Sequence, residues 1–228
     1  QGKQWSPVLA ASAAKDLPGG TDGLLRKLPE IVAPDTVVGQ IARYFVDKYG
    51  LDPLCRVTAG SGDNPQTKVL VKGDLLSLGT SFVNMVSTDG TSYDFDGYAN
   101  GMYDGLGRPF MFGCRTNGAM VWDGVRAMHG LGRNDFVAAD STLESTEAGK
   151  HVFLWQPDNE SFPVSGAIDV TRIGYSEPDL ALDYAGSIES ALGIVYLYSR
   201  GFAASGSGPI AVTGGVTKVA EIIRRIAG

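Results

Sequence analysis

The 228 residues are 43% hydrophobic and 19% charged, enough apolar mass for one large or two smaller packed cores and too evenly mixed for a disordered chain. Lys plus Arg (19) against Asp plus Glu (25) leaves a formal net charge of −6 with no basic stripe interleaved with aromatics, which excludes nucleic acid as the expected partner. The 31 glycines fall in short clusters without a period, which excludes collagen and points to tight backbone loops.

In chain order, residues 1–36 read as an irregular opening segment punctuated by Pro7, Pro18, Gly19, Gly20, Pro29 and Pro34. The spacing of Ile41, Tyr44, Phe45 and Lys48 predicts a helix over 37–49, with Gly50 as its stop. Arg56-Val57-Thr58-Ala59 reads as a short buried strand ending in Gly60-Ser61-Gly62. A helix is expected next, with Asn64 as its cap, Pro65 in its first turn and Gly73 at its end. Residues 74–78 and 82–87 read as an antiparallel pair around Gly79-Thr80-Ser81, followed by a turn at Thr88-Asp89-Gly90-Thr91.

Residues 93–112 are rich in Gly and aromatics and predict short strands alternating with loops. Asn117-Gly118 leads into a helix over 119–129, residues 133–180 carry little pattern, and 180–199 is the longest helical stretch. A buried strand over 209–213, a sharp turn at Gly214-Gly215 and a helix over 218–227 complete the chain. Strand, glycine turn and helix recur in a mixed order, so the fold class is α/β. The apolar stretch 185–204 is interrupted by Glu189 and Arg200, which argues against a membrane span. Two cysteines, Cys55 and Cys114, suit a reducing compartment better than a disulfide framework.

No Walker-type glycine-lysine loop is present. Gly206-Ser207-Gly208-Pro209 matches a loose dinucleotide pattern but precedes a strand instead of following one, so a Rossmann site is rejected. His129 and His151 have no cysteine or carboxylate at ligand spacing and predict no metal centre, and Trp122 and Trp155 read as core. Three turns share one design, in which an apolar strand delivers the chain to small residues: 59–65, 76–81 and 211–215. Backbone N–H groups of such turns can approach a phosphate or ribose closely.

Gly62-Asp63-Asn64-Pro65, then Gly73-Asp74, Ser77-Leu78-Gly79-Thr80-Ser81 and Thr213-Gly214-Gly215 resemble the ordered motif set of FGGY carbohydrate kinases, in the forms of the xylulokinase branch. Trp5, Leu28-Pro29-Glu30-Ile31-Val32 and Val38-Gly39 extend the resemblance, which is weakest over 132–179. It implies an actin-like ATPase, ribonuclease-H-like fold of two domains, with 1–72 as the tail of the sugar-binding domain and 73–228 as most of the nucleotide-binding domain. The family's upstream phosphate loop, most of its sugar pocket and its C-terminal segment have no counterpart in these residues, so the chain is expected to be a central piece of a longer kinase, not necessarily active alone.

The same resemblance implies Asp63 as catalytic base and Asp63 with Asn64 as sugar contacts. Gly79, Thr80 and Ser81 fall at the nucleotide phosphates, and Gly118, Gly214, Gly215 and Lys218 or Val219 on the adenosine side. Val216-Thr217-Lys218-Val219 departs from the family's usual small and polar residues there. Arg133 lies near the expected nucleotide side. The implied reaction uses ATP and Mg2+ to phosphorylate a ketose, D-xylulose first, in the cytoplasm. The implied partners are the small sugar and ATP, with no nucleic acid, no membrane and a homodimer as the candidate assembly. A related kinase for another polyol or ketose, and a non-catalytic nucleotide-binding remnant of the fold, stay open as alternatives.

Overall fold

The computed structural model describes residues 4–132, 135–202 and 208–227, and the chain divides between Gln66 and Thr67 into two units. The first unit includes Gly105–Gly107; the second takes Thr67–Asp104 and resumes at Arg108.

In the first unit, the opening segment is more regular than its breakers suggest. Pro7 takes the first position of helix α1 (Pro7–Ala13), where its missing N–H costs nothing, and Ser6 caps the helix by accepting from the Leu9 amide at 3.3 Å. Helix α2 spans Gly20–Leu25. The helix expected over 37–49 is split, with strand β1 (Val37–Gln40) preceding helix α3 (Arg43–Tyr49). Val37, Gly39 and Gln40 pair antiparallel with strand β2 (Arg56–Thr58), with an irregularity at Val38, and that pairing overrides the helical spacing. Both strands are exposed, so the buried strand expected at 56–59 is corrected to an exposed one. Among the described residues of this unit, Ala10 and Ala14 are the buried hydrophobics, while Val38, Tyr44, Tyr49 and Leu54 are exposed.

Helix α4 (Asp63–Val69) straddles the division between the units. It begins one residue earlier than the expected Asn64 cap, with Gly62 accepting from the Gln66 amide at 3.0 Å, and it ends before Gly73. Pro65 sits within the first turn, where no intrahelical N–H is needed. In the second unit the end of α4 is closed by Lys68, whose buried ammonium donates to Val71 O at 3.2 Å, Gly73 O at 2.8 Å and Ser87 Oγ at 3.0 Å. Arg108 donates to Val69 O at 2.9 Å and pairs with Asp104 at 2.5 Å.

The second unit is built on a mixed five-stranded sheet of strands β3 (Asp74–Leu78), β4 (Phe82–Ser87), β5 (Asn100–Tyr103), β6 (Pro109–Arg115) and β9 (Ile210–Thr213), in the order β5-β6-β4-β3-β9. The β3–β9 pair is parallel; β3–β4, β4–β6 and β5–β6 are antiparallel. Period-two alternation sorts the side chains. Leu76, Leu78, Phe82, Val86 and Met111 join the main core on one face, and Leu75, Met85 and Phe110 form a smaller cluster on the other. Strand β9 is half-exposed, not buried as expected, because it lies at the sheet edge.

The main core is completed by helices α5 (Ala119–Met128), α6 (Phe136–Ser145), α7 (Leu180–Ser199) and α8 (Ala220–Ala227). Strands β7 (Val152–Glu160) and β8 (Gly166–Ile173) form a separate antiparallel pair and, with α6, occupy the stretch that sequence left unpatterned. A Gly215–Lys218 3-10 turn precedes α8, so the last helix starts at Ala220 and not at Lys218. Asp179 caps α7 by accepting from the Leu182 amide at 2.9 Å. That helix is long and apolar enough to cross a membrane by length and composition, yet half of it is buried inside this unit, with Tyr184, Ile188 and Val195 in the core.

Phe82 and Trp122 meet in that core with ring centroids 5.2 Å apart. Phe82→Ala is expected to cost about 3–5 kcal/mol of stability. Chemical denaturation followed by tryptophan fluorescence reads that loss; an unchanged midpoint would remove Phe82 from the core that holds the sheet to α5.

Candidate functional site

The apolar strand β3 ends at the buried Leu78 and turns through Gly79-Thr80-Ser81 into β4, with the Gly79 amide donating to Ser81 O at 3.1 Å. The carbonyls of this hairpin are turned toward helix α5: Ala119 N–H donates to Gly79 O at 3.1 Å and Met120 N–H to Thr80 O at 3.5 Å. Gly118, which caps that helix, lies so close that a Cβ there would fall 2.6 Å from Thr80 O and 2.8 Å from Ser81 Cα. Gly118 is therefore a packing residue for the hairpin, and any larger residue would displace backbone. The Thr80 side chain points to solvent from the tip.

Strand β9 brings the second glycine turn to the same place. Its parallel register sets Thr213 beside Ser77, so Gly214 arrives at the end of β3. Gly214 has φ +107, and a Cβ on it would lie 2.1 Å from Leu78 O. Both the backbone conformation and the space demand glycine. Thr217 closes the turn, donating from its amide at 3.2 Å and its hydroxyl at 2.8 Å to Gly214 O. Gly215 has open space where a Cβ would stand, and Lys218 is exposed at the end of the turn. Five of the residues singled out from sequence, Gly79, Thr80, Ser81, Gly118 and Gly214, thus converge at the carboxyl end of β3, with Gly215 and Lys218 following directly. Ligands of open α/β sheets bind at such strand ends.

Behind the hairpin stands a polar network that sequence reading missed. Asn117 and Glu160 are buried. The Glu160 carboxylate accepts from the amides of Thr116 (3.0 Å) and Asn117 (2.8 Å), from Asn117 Nδ2 (2.8 Å) and from the Ser161 amide (3.0 Å). Burial alone would raise this carboxyl, but the Asn117, Thr116 and Ser161 donors outweigh it and hold it below the usual carboxylate range. Arg115, also buried, donates to Asn117 O at 3.0 Å and to Gln156 Oε1 at 2.7 Å. Asn117-Gly118 had signalled only a helix lead-in; the partner of Asn117 is 43 residues away, beyond any local signal.

Asp63 and Asn64 belong to the other unit, at the start of α4, and are described by themselves. Asp63 is exposed and its Oδ1 accepts from the Asn64 amide at 2.9 Å. Pro65 is buried behind them and accepts from the Gly105 amide at 3.2 Å. The Gly60 turn enters with φ +73. Arg133, Gly206 and Ser207 lie outside the described residues.

Other titratable groups have structural partners. Asp183 in α7, fully buried, accepts from Arg172 at 2.8 and 2.7 Å and from the Tyr175 hydroxyl at 2.6 Å, and lies 2.9 Å from His129 Nε2. Burial would raise its carboxyl, but the Arg172, Tyr175 and His129 partners hold it below the usual range, while burial and Asp183 push the Tyr175 phenol up. Among the described residues no group of three or more His, Cys, Asp or Glu is gathered for a metal ion. Cys55 and Cys114 are both free thiols. An open cavity of about 600 Å³ lies at the opposite end of the sheet, lined by Asp74, Leu76, Asn84, Leu192, Tyr196 and Ile226.

No family model matches the chain. Among curated proteins it is 28% identical over 223 residues to a probable D-xylulose kinase A from Aspergillus terreus, a match that covers 82% of this chain and 37% of that protein. A shorter match to the xylulose kinase of Mus musculus is 47% identical over 62 residues, 25% of this chain and 11% of that one. A ligand-bound xylulose kinase from Lactobacillus acidophilus superposes with a TM-score of 0.75 at 20% identity, covering 91% of this chain and 45% of that one. The chain spans less than half the length of these relatives. The fold is that of the actin-like sugar kinases, represented here in part. In sequence the chain is similar to xylulose kinases, and in fold it is similar to solved sugar kinases of the same type.

Gly214→Ala is expected to cost more than about 2 kcal/mol, through strain at positive φ and collision with Leu78 O; thermal unfolding would read it, and a wild-type midpoint would deny the close approach. Asp183→Asn is expected to cost about 3–5 kcal/mol near neutral pH, since it leaves Arg172 without its buried partner. Because the folded carboxyl titrates below the ordinary 3.8, its contribution is full above that value and is lost as pH falls through the folded one. Unfolding curves of the two proteins from pH 7 to 2 are therefore expected to converge at the acid end.

Proposed function

We propose that this chain is the central part of an ATP-dependent carbohydrate kinase that transfers the γ-phosphoryl group to a hydroxyl of a ketose, with D-xylulose as the substrate. The observation that carries the proposal is the convergence of the Gly79–Ser81 hairpin, Gly118 and Gly214 at one strand end, in a chain that also keeps Gly62-Asp63-Asn64-Pro65 at the start of α4. In this reading, residues 1–72 close the sugar-binding domain and 73–228 supply most of the nucleotide-binding domain.

Phosphoryl transfer passes through a loose transition state, so positioning and charge neutralisation outweigh strong base catalysis. Asp63, a carboxylate exposed at the first residue of α4, accepts the proton of the sugar hydroxyl. The hydroxyl oxygen forms a bond to the γ-phosphorus as the bond from that phosphorus to the bridging oxygen breaks, and ADP leaves. Asn64 holds a neighbouring sugar hydroxyl through its side-chain amide. The Thr80 hydroxyl at the hairpin tip, with the backbone of Gly79 and Ser81, holds phosphate oxygens. Gly214 and Gly215 face the adenosine, with open space at Gly215 and Lys218 at the turn's end; Gly118 serves from behind, by setting the hairpin's place.

Mg2+ would enter with the nucleotide, and the exposed Thr80 hydroxyl at the hairpin tip is the side chain of this set that would serve it. When bound, Mg2+ supplies neutralisation of phosphate charge. Free Cys55 and Cys114 accord with the cytoplasm as the compartment.

The full-length protein is expected to release ADP only when D-xylulose is added, and Asp63→Ala to lose roughly 10²–10⁴-fold of that turnover while still binding nucleotide. A coupled ADP-release assay with a substrate panel decides it. Undiminished turnover in the variant would remove Asp63 from the reaction, turnover on glycerol, ribulose or gluconate instead would move the substrate, and nucleotide binding without any sugar-dependent turnover would leave a non-catalytic remnant.

A further inference from the structure

We propose that Glu160 is a positioning residue for the Gly79–Ser81 hairpin, holding it from 79 residues away through the turn at 116–118; its catalytic consequence, though not the coupling itself, rests on the kinase reading. Glu160 is the last residue of β7, and its carboxylate is buried. An ionised carboxylate only accepts hydrogen bonds, and a buried one must find donors. Here the donors include two successive backbone amides, Thr116 and Asn117, at 3.0 and 2.8 Å. Two consecutive N–H groups aimed at one carboxylate dictate the conformation of that turn. The Asn117 side chain completes the grip, donating to Glu160 Oε2 at 2.8 Å and to Asp158 O at 2.9 Å while accepting from the Asp158 amide at 3.1 Å.

The next residues transmit the placement. Gly118 abuts Thr80 O and Ser81 without room for a side chain, and Ala119 and Met120 donate to Gly79 O and Thr80 O. Every link from Glu160 to the hairpin is thus a direct contact between backbone or buried atoms. The end of β7 is itself fixed to the sheet, because the Phe162 ring fills the space that a Cβ on Gly113 would need. Replacing Glu160 by Gln keeps the shape but turns an –NH2 donor toward amide donors, so the turn loses its grip without losing packing volume.

The test compares Glu160→Gln with the wild type, both as full-length protein, by hydrogen exchange read on peptides together with ADP and D-xylulose binding. Peptides covering 78–82 and 116–120 are expected to exchange roughly tenfold faster, with those covering 84–86 and α7 unchanged. ADP affinity is expected to fall about tenfold with D-xylulose affinity retained, and Glu160→Asp to restore part of the loss. A folded variant with an unchanged hairpin, or with exchange raised evenly across the unit, overturns the proposal, the second result making Glu160 a general stabiliser only. If Glu160→Gln does not fold, Asn117→Ala leaves the backbone donors in place and must show the same local pattern, or the proposal falls. A wild type that binds no ADP, alongside the local hairpin change in the variant, would sink the kinase reading and uphold the coupling.

Discussion

The second unit depends on one close approach, at the carboxyl end of β3. Leu78 O and Gly214 come together with no space for a side chain, Gly118 presses on the hairpin from another side, and the helix it opens spends its first amides on the hairpin's carbonyls. Backbone meets backbone on two sides of a three-residue turn. Such contacts do not give way as flexible side chains do, so the hairpin is fixed by its surroundings and Thr80 alone extends from its tip into solvent.

Carboxylates, three of them buried and Asp94 half-buried, organise much of the second unit. Glu160 gathers the amides of the 116–117 turn, and Asp183 gathers Arg172 and Tyr175 beside His129. Asp94 accepts from the Tyr98 and Ala99 amides and from the Tyr198 hydroxyl, each at 2.6–2.7 Å, and Asp104 pairs with Arg108. The first three tie a loop to a regular element, and the Asp104–Arg108 pair closes the loop between β5 and β6. The net negative charge of the chain is therefore partly an interior construction material. Buried ions of this kind are costly to desolvate, and their return is a specified geometry more than raw stability.

The first unit is held differently. Its helices and its two-stranded sheet bury few hydrophobic residues, and a two-stranded ribbon has little independent stability. Its order comes from individual hydrogen bonds: the Ser6 cap on α1, the Trp5 indole donating to Pro29 O at 2.7 Å, and the backbone bond from Ala59 to Thr36 at 2.9 Å. Cooperative burial is the property of the second unit, where α5 to α8 cover one face of the sheet.

What sequence alone determined lies where the signal is local. The β3–β4 hairpin with its glycine tip, the 20 residues of α7 and the start of α5 at Ala119 follow from alternation, helical spacing and turn chemistry within a few residues. The three glycine turns were legible for the same reason, as was the resemblance that named Asp63, Thr80 and Gly214. Only the tertiary structure decided what depends on distant partners. Val37–Gln40 is a strand because β2 is there to pair with it, against a helical spacing that sequence favoured. Gly118 proved to be a packing glycine because Thr80 and Ser81 lie against it. Glu160 sits in the stretch with least pattern, and its meaning comes from amides 43 and 44 residues away. Periodicity records which face of an element is buried; it carries no record of which buried carboxylate will meet which amide, since that is settled only when the sheet and its helices have packed.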